Sequence, residues 1–346
     1  MSSSPELFSP VSPWSSFHTN RNNPAMQPAL IEFSRKLLTE TVEISISLFR
    51  IMIPIIIAVK ILQELGAVDA LGKILSPVMG IVGLPGSMGL VWATTILSNI
   101  YTGIVVFVAV SANDPLTVAQ TTVLASMMLV AHNLPIELRI AQKAGARLRF
   151  MGLLRMGGAF VLGWGLFRIY RLAGSLQEQN IPRWLPRIDD TSITTWTVSQ
   201  VRGLIMIFFI IMALLLVLRI LDKIGITAIM TRFLTPVLRL LGIGPSACTI
   251  TIVGMTLGLG YGGGLIIQES VSGRVDRQDV LFSLTLMGLC HSLFEDTLAV
   301  SITGAHFSGI LWARLIFSLI AVFLLVKLIS RLSEKTLNAF FIRPLN

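Results

Sequence analysis

His132-Asn133-Leu134-Pro135-Ile136-Glu137 and His291-Ser292-Leu293-Phe294-Glu295-Asp296 are the two stretches on which the reading of this chain turns. Each sets a histidine and a carboxylate inside a long apolar run, and 159 residues separate position 132 from position 291. Ionisable groups at such depth are costly in lipid, so they mark a functional site by default. Their recurrence makes the chain a duplication, and the duplication sets the fold.

The register extends well beyond the two hexapeptides. At an offset of 159, Gly66 meets Gly225, Pro77 meets Pro236, Gly83 meets Gly242 and Arg155 meets Arg314. At 160, Pro85 meets Pro245, Tyr101 meets Tyr261 and Gly103 meets Gly263. Leucine matches mean little in apolar runs, whereas His, Pro, Gly, Tyr and Arg matches in one register carry weight.

Composition gives the class. Hydrophobic residues make up 53% of the 346 positions and charged residues only 13%, about half the share in a soluble chain. The mean hydropathy is +0.79. This is a polytopic membrane protein. The net charge of +9 comes from Lys and Arg at the ends of apolar segments, where the positive-inside rule puts them. No basic stripe with interleaved aromatics points to nucleic acid. Cys248 and Cys290 are isolated and form neither a disulfide framework nor a zinc-type cluster.

Residues 1–40 read as a disordered cytoplasmic tail, rich in Ser, Pro and Asn at its start and without a signal peptide. Repeat 1 spans 41–169, with apolar segments near 44–62, 67–82, 86–110, 116–140 and 150–169. A polar linker follows at 170–200, with Trp184 and Trp196 suited to a membrane boundary. Repeat 2 spans 201–330, with segments near 203–218, 226–241, 246–267, 280–300 and 310–328, before a second cytoplasmic tail at 331–346. The expected fold is all-α, with ten membrane segments in two sets of five. Segments 67–82 and 226–241 are short enough to be tilted, re-entrant or interfacial. An odd number of spans inverts the second repeat. The turns agree, because 139–149 carries Arg139, Lys143, Arg147 and Arg149 while its counterpart 301–309 carries no Lys or Arg. Inverted repeats are the common plan of secondary transporters.

Two broken helices occupy matching places, at Asn99–Gly103 and in Gly258-Leu259-Gly260-Tyr261-Gly262-Gly263-Gly264. Glycine weakens helices, and non-helical backbone at membrane depth must line a cavity or be buried in protein. Asn99, Tyr101, Gly103, Tyr261, Gly262 and Gly263 are therefore candidate solute contacts; close packing through small residues is the alternative. No strand precedes the glycines, so a dinucleotide site is rejected.

In the first hexapeptide, Pro135 should kink a helix and free a carbonyl near Ala131. Phe294 stands in its place in the second copy, so that kink need not be shared. His291 and Glu295 then lie on one helical face. Arg155 follows Glu137 by 18 residues and Arg314 follows Asp296 by 18. This spacing suggests two structural ion pairs, Glu137–Arg155 and Asp296–Arg314, which leave His132, His291 and Glu295 to face the solute. Asn133, Glu269 and the paired carboxylates Glu137 and Asp296 complete the candidate binding residues. Cation coordination, solute binding and proton coupling all suit a histidine. No HExxH and no nucleophile elbow occurs, so no enzyme activity and no cofactor is expected.

The His-Asn-Leu-Pro-Ile-Glu helix, the glycine-rich broken helix and the duplicated layout resemble the nucleoside recognition, or Gate, domain family over about residues 45–330, as two copies. Spore maturation membrane proteins resemble the two halves. The membrane domain of ferrous iron transporter B and the core of concentrative nucleoside transporters are similar more remotely. The resemblance implies a permease of the bacterial inner membrane for a nucleoside-like molecule or a cation. It implies, alternatively, a scaffold of the spore maturation type or a divalent metal permease. This chain carries no GTPase domain and no cysteine pair in its broken helices, which weakens an iron assignment. The expected partners are the lipid bilayer and a small solute or ion, and a homo-oligomer is compatible with the plan.

Overall fold

The computed structural model describes residues 26–180 and 192–343, without the side chains of 26–30, 222, 227, 257 and 259–262. The described residues are helical throughout, apart from turns and two isolated β-bridges. In chain order, α1 spans Met26–Glu64, α2 Ala67–Ile81, α3 Met88–Leu97, α4 Ile100–Ser111, α5 Val118–Val130, α6 Leu134–Lys143 and α7 Leu148–Ala173. The second half follows the same order, with α8 over Ile193–Ile224, α9 Ile226–Leu240, α10 Pro245–Val271, α11 Arg277–Cys290, α12 Glu295–Ser301 and α13 Arg314–Ile329. A π-helical turn, Ser308–Ala313, leads into α13, and α14 spans Glu334–Phe340.

Backbone conformation repeats with the sequence register. Left-handed glycines start α2 and α9 (Gly66, φ 67°; Gly225, φ 79°) and follow them (Gly83, φ 72°; Gly242, φ 84°). Asn133 (φ 49°) and Ser292 (φ 44°) form a matching non-glycine pair, beside the breaks between α5 and α6 and between α11 and α12.

Contacts assign the helix ends to two faces. At the near face, the end of α1 meets the end of α4, where Gln63 donates to the Ala109 carbonyl at 3.2 Å. Gln120 at the start of α5 donates to the Gly83 carbonyl there at 3.0 Å. Both ends of α2 therefore sit at one face, and α2 does not cross. Its 15 residues span only about 22 Å, less than a bilayer's hydrocarbon core. At the far face, Arg219 near the end of α8 donates to Glu40 on α1 at 2.5 Å, so α1 and α8 run antiparallel.

The segments at 86–110 and 246–267 do not cross either. Helices α3 and α4 fold back on each other, because Ser87 before α3 donates to Asp114 after α4 at 2.5 Å. A straight helix over the same residues would part those ends by about 36 Å. The turn between them lies at Ser98 and Asn99, where Asn99 caps α4 by accepting from the Thr102 N–H at 2.9 Å. Helix α10 is folded likewise at Gly258 (φ 84°, ψ 170°), a conformation open essentially to glycine alone. Its start, Gly244, lies against the Asp279 carboxylate on α11. Its last turn, at Ser270, donates to the Ala144 carbonyl after α6 at 2.9 Å. Both ends of α10 thus reach the far face, and each repeat holds a re-entrant hairpin entering from its own side.

The expectation of five spans per repeat is corrected accordingly. Each repeat makes three crossings among the described residues: α1, the broken α5–α6 and α7; then α8, the broken α11–α12 and α13. Three is odd, as five was, so the inversion survives the correction. Its sign is visible in the packing. The His306 N–H, beyond α12, donates to Thr122 at the start of α5 at 2.8 Å, while the end of α6 meets the start of α11 through Ser270. The two broken helices run antiparallel.

The boundaries also shift. Helix α1 begins at Met26, inside the expected 1–40 tail, and Phe33 lies 5.1 Å beneath the Arg219 guanidinium. Residues 1–25 lie outside the described residues, as do 181–191 of the expected linker at 170–200. The rest of that linker is ordered. Helix α7 runs on to Ala173 and is ended by the left-handed Gly174 (φ 59°). The Val118 and Ala119 N–H groups at the start of α5 donate to the Glu178 and Leu176 carbonyls at 3.0 and 2.8 Å. In the expected tail at 331–346, α14 docks on the α6–α7 turn, where the Arg147 N–H donates to the Phe341 carbonyl at 2.8 Å.

Single cysteines should report these faces by membrane-impermeant labelling. Ala112→Cys and Ser272→Cys are expected on opposite sides. Ser87→Cys should share the side of Ala112→Cys, whereas a spanning segment at 86–110 would separate them.

Candidate functional site

The site forms where the crossing helices break. Helix α5 stops at Val130, the chain turns through a left-handed Asn133, and α6 restarts at Leu134 with Pro135 in its first turn. Proline is tolerated there because first-turn N–H groups have no helical partner. The sequence placed Pro135 inside a kinked helix; it instead opens a new one. The second copy breaks too, without a proline. Helix α11 ends at Cys290, His291 is extended (φ −94°, ψ 172°), and α12 starts at Glu295. The break is therefore shared, which the loss of the proline had left open. The expectation that His291 and Glu295 share a helical face is corrected, since no helix joins them.

Each break strands backbone groups where lipid offers none in exchange, so protein must supply the partners. The Asn133 N–H donates to the Thr95 carbonyl of α3 at 3.1 Å, and the Leu293 N–H to the Met255 carbonyl of α10 at 2.8 Å. The hairpin tips are thereby tied to the breaks. The freed carbonyls at the ends of α5 and α11 are met by arginines. Arg155 Nε donates to Val130 at 2.9 Å, and Arg314 Nε donates to Leu289 at 3.1 Å. Both arginines are essentially fully buried. A cation there also answers the negative end of each helix dipole.

The histidines finish the breaks in the same way. His132 Nδ1 lies 3.2 Å from the Met128 carbonyl and His291 Nδ1 lies 2.7 Å from the Met287 carbonyl. A carbonyl only accepts, so each Nδ1 carries the hydrogen and each Nε2 is left to face inward. The two Nε2 atoms meet at 3.0 Å. Glu137 Oε1 lies 3.3 Å from both, and Asp296 Oδ2 lies 3.6 Å from His132 and 4.0 Å from His291. His132, His291, Glu137 and Asp296 are all buried.

The two expected ion pairs part company here. Arg155 contacts the Glu137 carboxylate directly. Arg314 makes no ion pair among the described residues; its Nη2 donates to the His291 carbonyl at 2.6 Å. The freed main chain of the second break takes the guanidinium, and Asp296 turns to the histidines, with no hydrogen-bond donor for its Oδ2.

The other candidates divide. Tyr101 on α4 donates to Glu295 Oε1 at 3.3 Å, bringing the first hairpin against the second break. Glu295 is half-buried beside the cluster. Asn133 serves as the left-handed hinge, and Asn99 as a helix cap. Gly103 is needed for packing, since a Cβ there would lie 2.8 Å from the Met128 methyl. Gly263 packs in the same sense, with a Cβ position 2.6 Å from Ile140 on α6. The side chains of Tyr261 and Gly262 lie outside the described residues. Glu269 pairs with Arg274 at 2.8 Å near the far face and does not join the cluster. Sequence reasoning missed Met128, Met287, Val130 and Leu289, whose carbonyls do the work, because a backbone acceptor leaves no mark on residue type.

Comparison with known proteins adds two findings. The family described as nucleoside recognition, Gate, matches residues 45–147, which include α2 to α6 and the first break. The chain is 26% identical over 255 residues to an uncharacterized membrane protein, YvoD, of Bacillus subtilis (strain 168), covering 73% of this chain and 80% of that one. No solved structure matches.

The corrected pairing is testable by thermal unfolding in detergent. Arg155→Ala strands the buried Glu137 carboxylate and should cost roughly 3–5 kcal/mol. Arg314→Ala leaves the Leu289 and His291 carbonyls unpaired, at about 1–3 kcal/mol each. Asp296→Asn should leave the melting temperature nearly unchanged, because no guanidinium depends on it. A large loss in Asp296→Asn would restore the Asp296–Arg314 pair.

Proposed function

We propose that this chain is a permease of the bacterial cytoplasmic membrane, made of two inverted Gate-like repeats, that passes a small solute through its centre. The observation that carries this reading is the meeting of two re-entrant hairpins, one from each face, at a buried cluster of two histidines and two carboxylates. Helix breaks and midplane charge are expensive in a bilayer. A dry scaffold gains nothing from placing both at one point. The hairpins give each face a movable stopper, and tying their tips to the breaks lets one hairpin open while the other stays seated. The Gate match over 45–147 and the membrane relative support a transport-related role; residues 201–330 are read as the second copy on the strength of the paired backbone geometry.

The turns at 139–149 and 272–279 lie at the far face and carry Arg139, Lys143, Arg147, Arg149, Arg274 and Arg277. The far face is therefore the cytoplasmic one by the positive-inside rule. Neither an enzyme activity nor a cofactor is part of this reading. The solute is a nucleoside-like molecule or a cation, with a histidine available for proton coupling.

A scaffold of the spore maturation type is the second reading, and one observation favours it. A cleft of about 260 Å³, lined by Gly83, Gln120, Phe167 and Arg171, lies at the near face, and its lining includes neither His132 nor His291.

Uptake into proteoliposomes separates the two. The permease reading expects flux of at least one member of a panel of nucleosides and monovalent and divalent cations, abolished in His291→Gln with the fold intact. No flux for any of them from a folded protein favours the scaffold.

A further inference from the structure

We propose that the central cluster binds one divalent first-row transition-metal ion, and that this ion is the solute; the second clause rests on the permease reading, while the first stands alone. The ligands are His132 Nε2, His291 Nε2 and Asp296 Oδ2, which lie within 4.8 Å of one another, with Glu137 Oε1 at 3.3 Å from both imidazoles.

The argument starts from the tautomers. Both Nδ1–H groups are engaged by main-chain carbonyls, so in the neutral rings both Nε2 atoms present lone pairs. Those lone pairs face each other at 3.0 Å, with two carboxylate oxygens beside them. Four electron-rich atoms converging in a buried space repel one another unless a positive charge lies between them. A metal-bound histidine characteristically donates its other ring N–H to a carbonyl or carboxylate, which fixes the ring for ligation. Here both histidines do so, from equivalent positions in the two repeats.

The dimensions fit. A tetrahedral site with bonds of 2.0–2.1 Å has ligand–ligand edges of about 3.3 Å. The three edges of the His132–His291–Asp296 triangle, 3.0, 3.6 and 4.0 Å, bracket that value and leave the fourth position to Glu137 or to water. Asp296 Oδ2 is buried without a hydrogen-bond donor, as expected of an oxygen held for a cation. Imidazole suits zinc, copper, iron and nickel, whereas magnesium and calcium take oxygen ligands. Charge agrees as well: Glu137 and Asp296 each bring a carboxylate oxygen to the two imidazoles, so a cation between them meets negative charge from both repeats. The separations between these atoms suit a single ion.

The test uses the full-length protein in detergent, stripped with a chelator and reloaded with zinc, then analysed for bound metal. About one zinc per chain is expected. His132→Gln and His291→Gln should each lower the occupancy at least tenfold, while the exposed His306→Gln retains it. Circular dichroism and melting temperature establish that the variants remain folded. Cobalt in place of zinc should give the absorption of a tetrahedral site, lost in His291→Gln. No zinc in the wild-type protein, or undiminished zinc in a folded His132→Gln/His291→Gln double variant, overturns the metal site. Uptake of zinc into proteoliposomes is measured separately. Bound zinc without zinc flux overturns the ion as solute and leaves the metal site standing. Flux of an organic solute through a protein that binds no zinc overturns the metal site and leaves the permease reading standing.

Discussion

A hydrocarbon interior supplies no hydrogen bonds, and everything at the centre of this protein follows from that constraint. Two crossing helices break at the same depth, and each break releases main-chain carbonyls that water would satisfy elsewhere. Arg155 and Arg314 meet these carbonyls from the neighbouring crossing helix, and His132 and His291 meet those two residues earlier. The arginines are thus as much parts of the main-chain hydrogen-bond system as they are charges. With the Met128 and Met287 carbonyls taking each Nδ1–H, the histidines have no freedom in which nitrogen faces the centre.

The hairpins extend the same logic. A re-entrant segment exposes its tip to the membrane interior, so the tip must be bonded to something. The Thr95 and Met255 carbonyls take the N–H groups of Asn133 and Leu293, so each hairpin and its broken helix satisfy each other. That reciprocity ties the cluster to both faces. A hairpin that withdraws must give up a hydrogen bond at the break, to the Thr95 or the Met255 carbonyl.

The two repeats share a backbone but not a charge pattern. Arg155 reaches Glu137, while Arg314 is held by the main chain, and Asp296 is left to the histidines. Glu295 has no carboxylate equivalent in the first repeat at the same offset, where Ile136 stands. It answers instead to Tyr101 of the opposite hairpin. The duplication supplies the frame, and the differences between the copies make the cluster acidic on one side.

The sequence by itself determined the membrane class, the duplication, its register and the odd parity that inverts the second copy. Those features are carried by composition and by residue types that recur at one fixed offset: His132 with His291, Gly66 with Gly225, Gly83 with Gly242. It also marked the residues of the cluster, because a buried charge is visible as an exception in an apolar run. Only the tertiary structure decided how often the chain crosses. Hydropathy registers that a segment is apolar but not that it turns back, and both α3–α4 and α10 are apolar on either side of their turns. Tertiary structure also decided the partner of Arg314. A spacing of 18 residues brings a guanidinium to the right height on the return helix, but the choice between a carboxylate and a freed carbonyl depends on where the helix breaks. That break needed no proline in the second copy, and so left no mark that a reading of residue types could find.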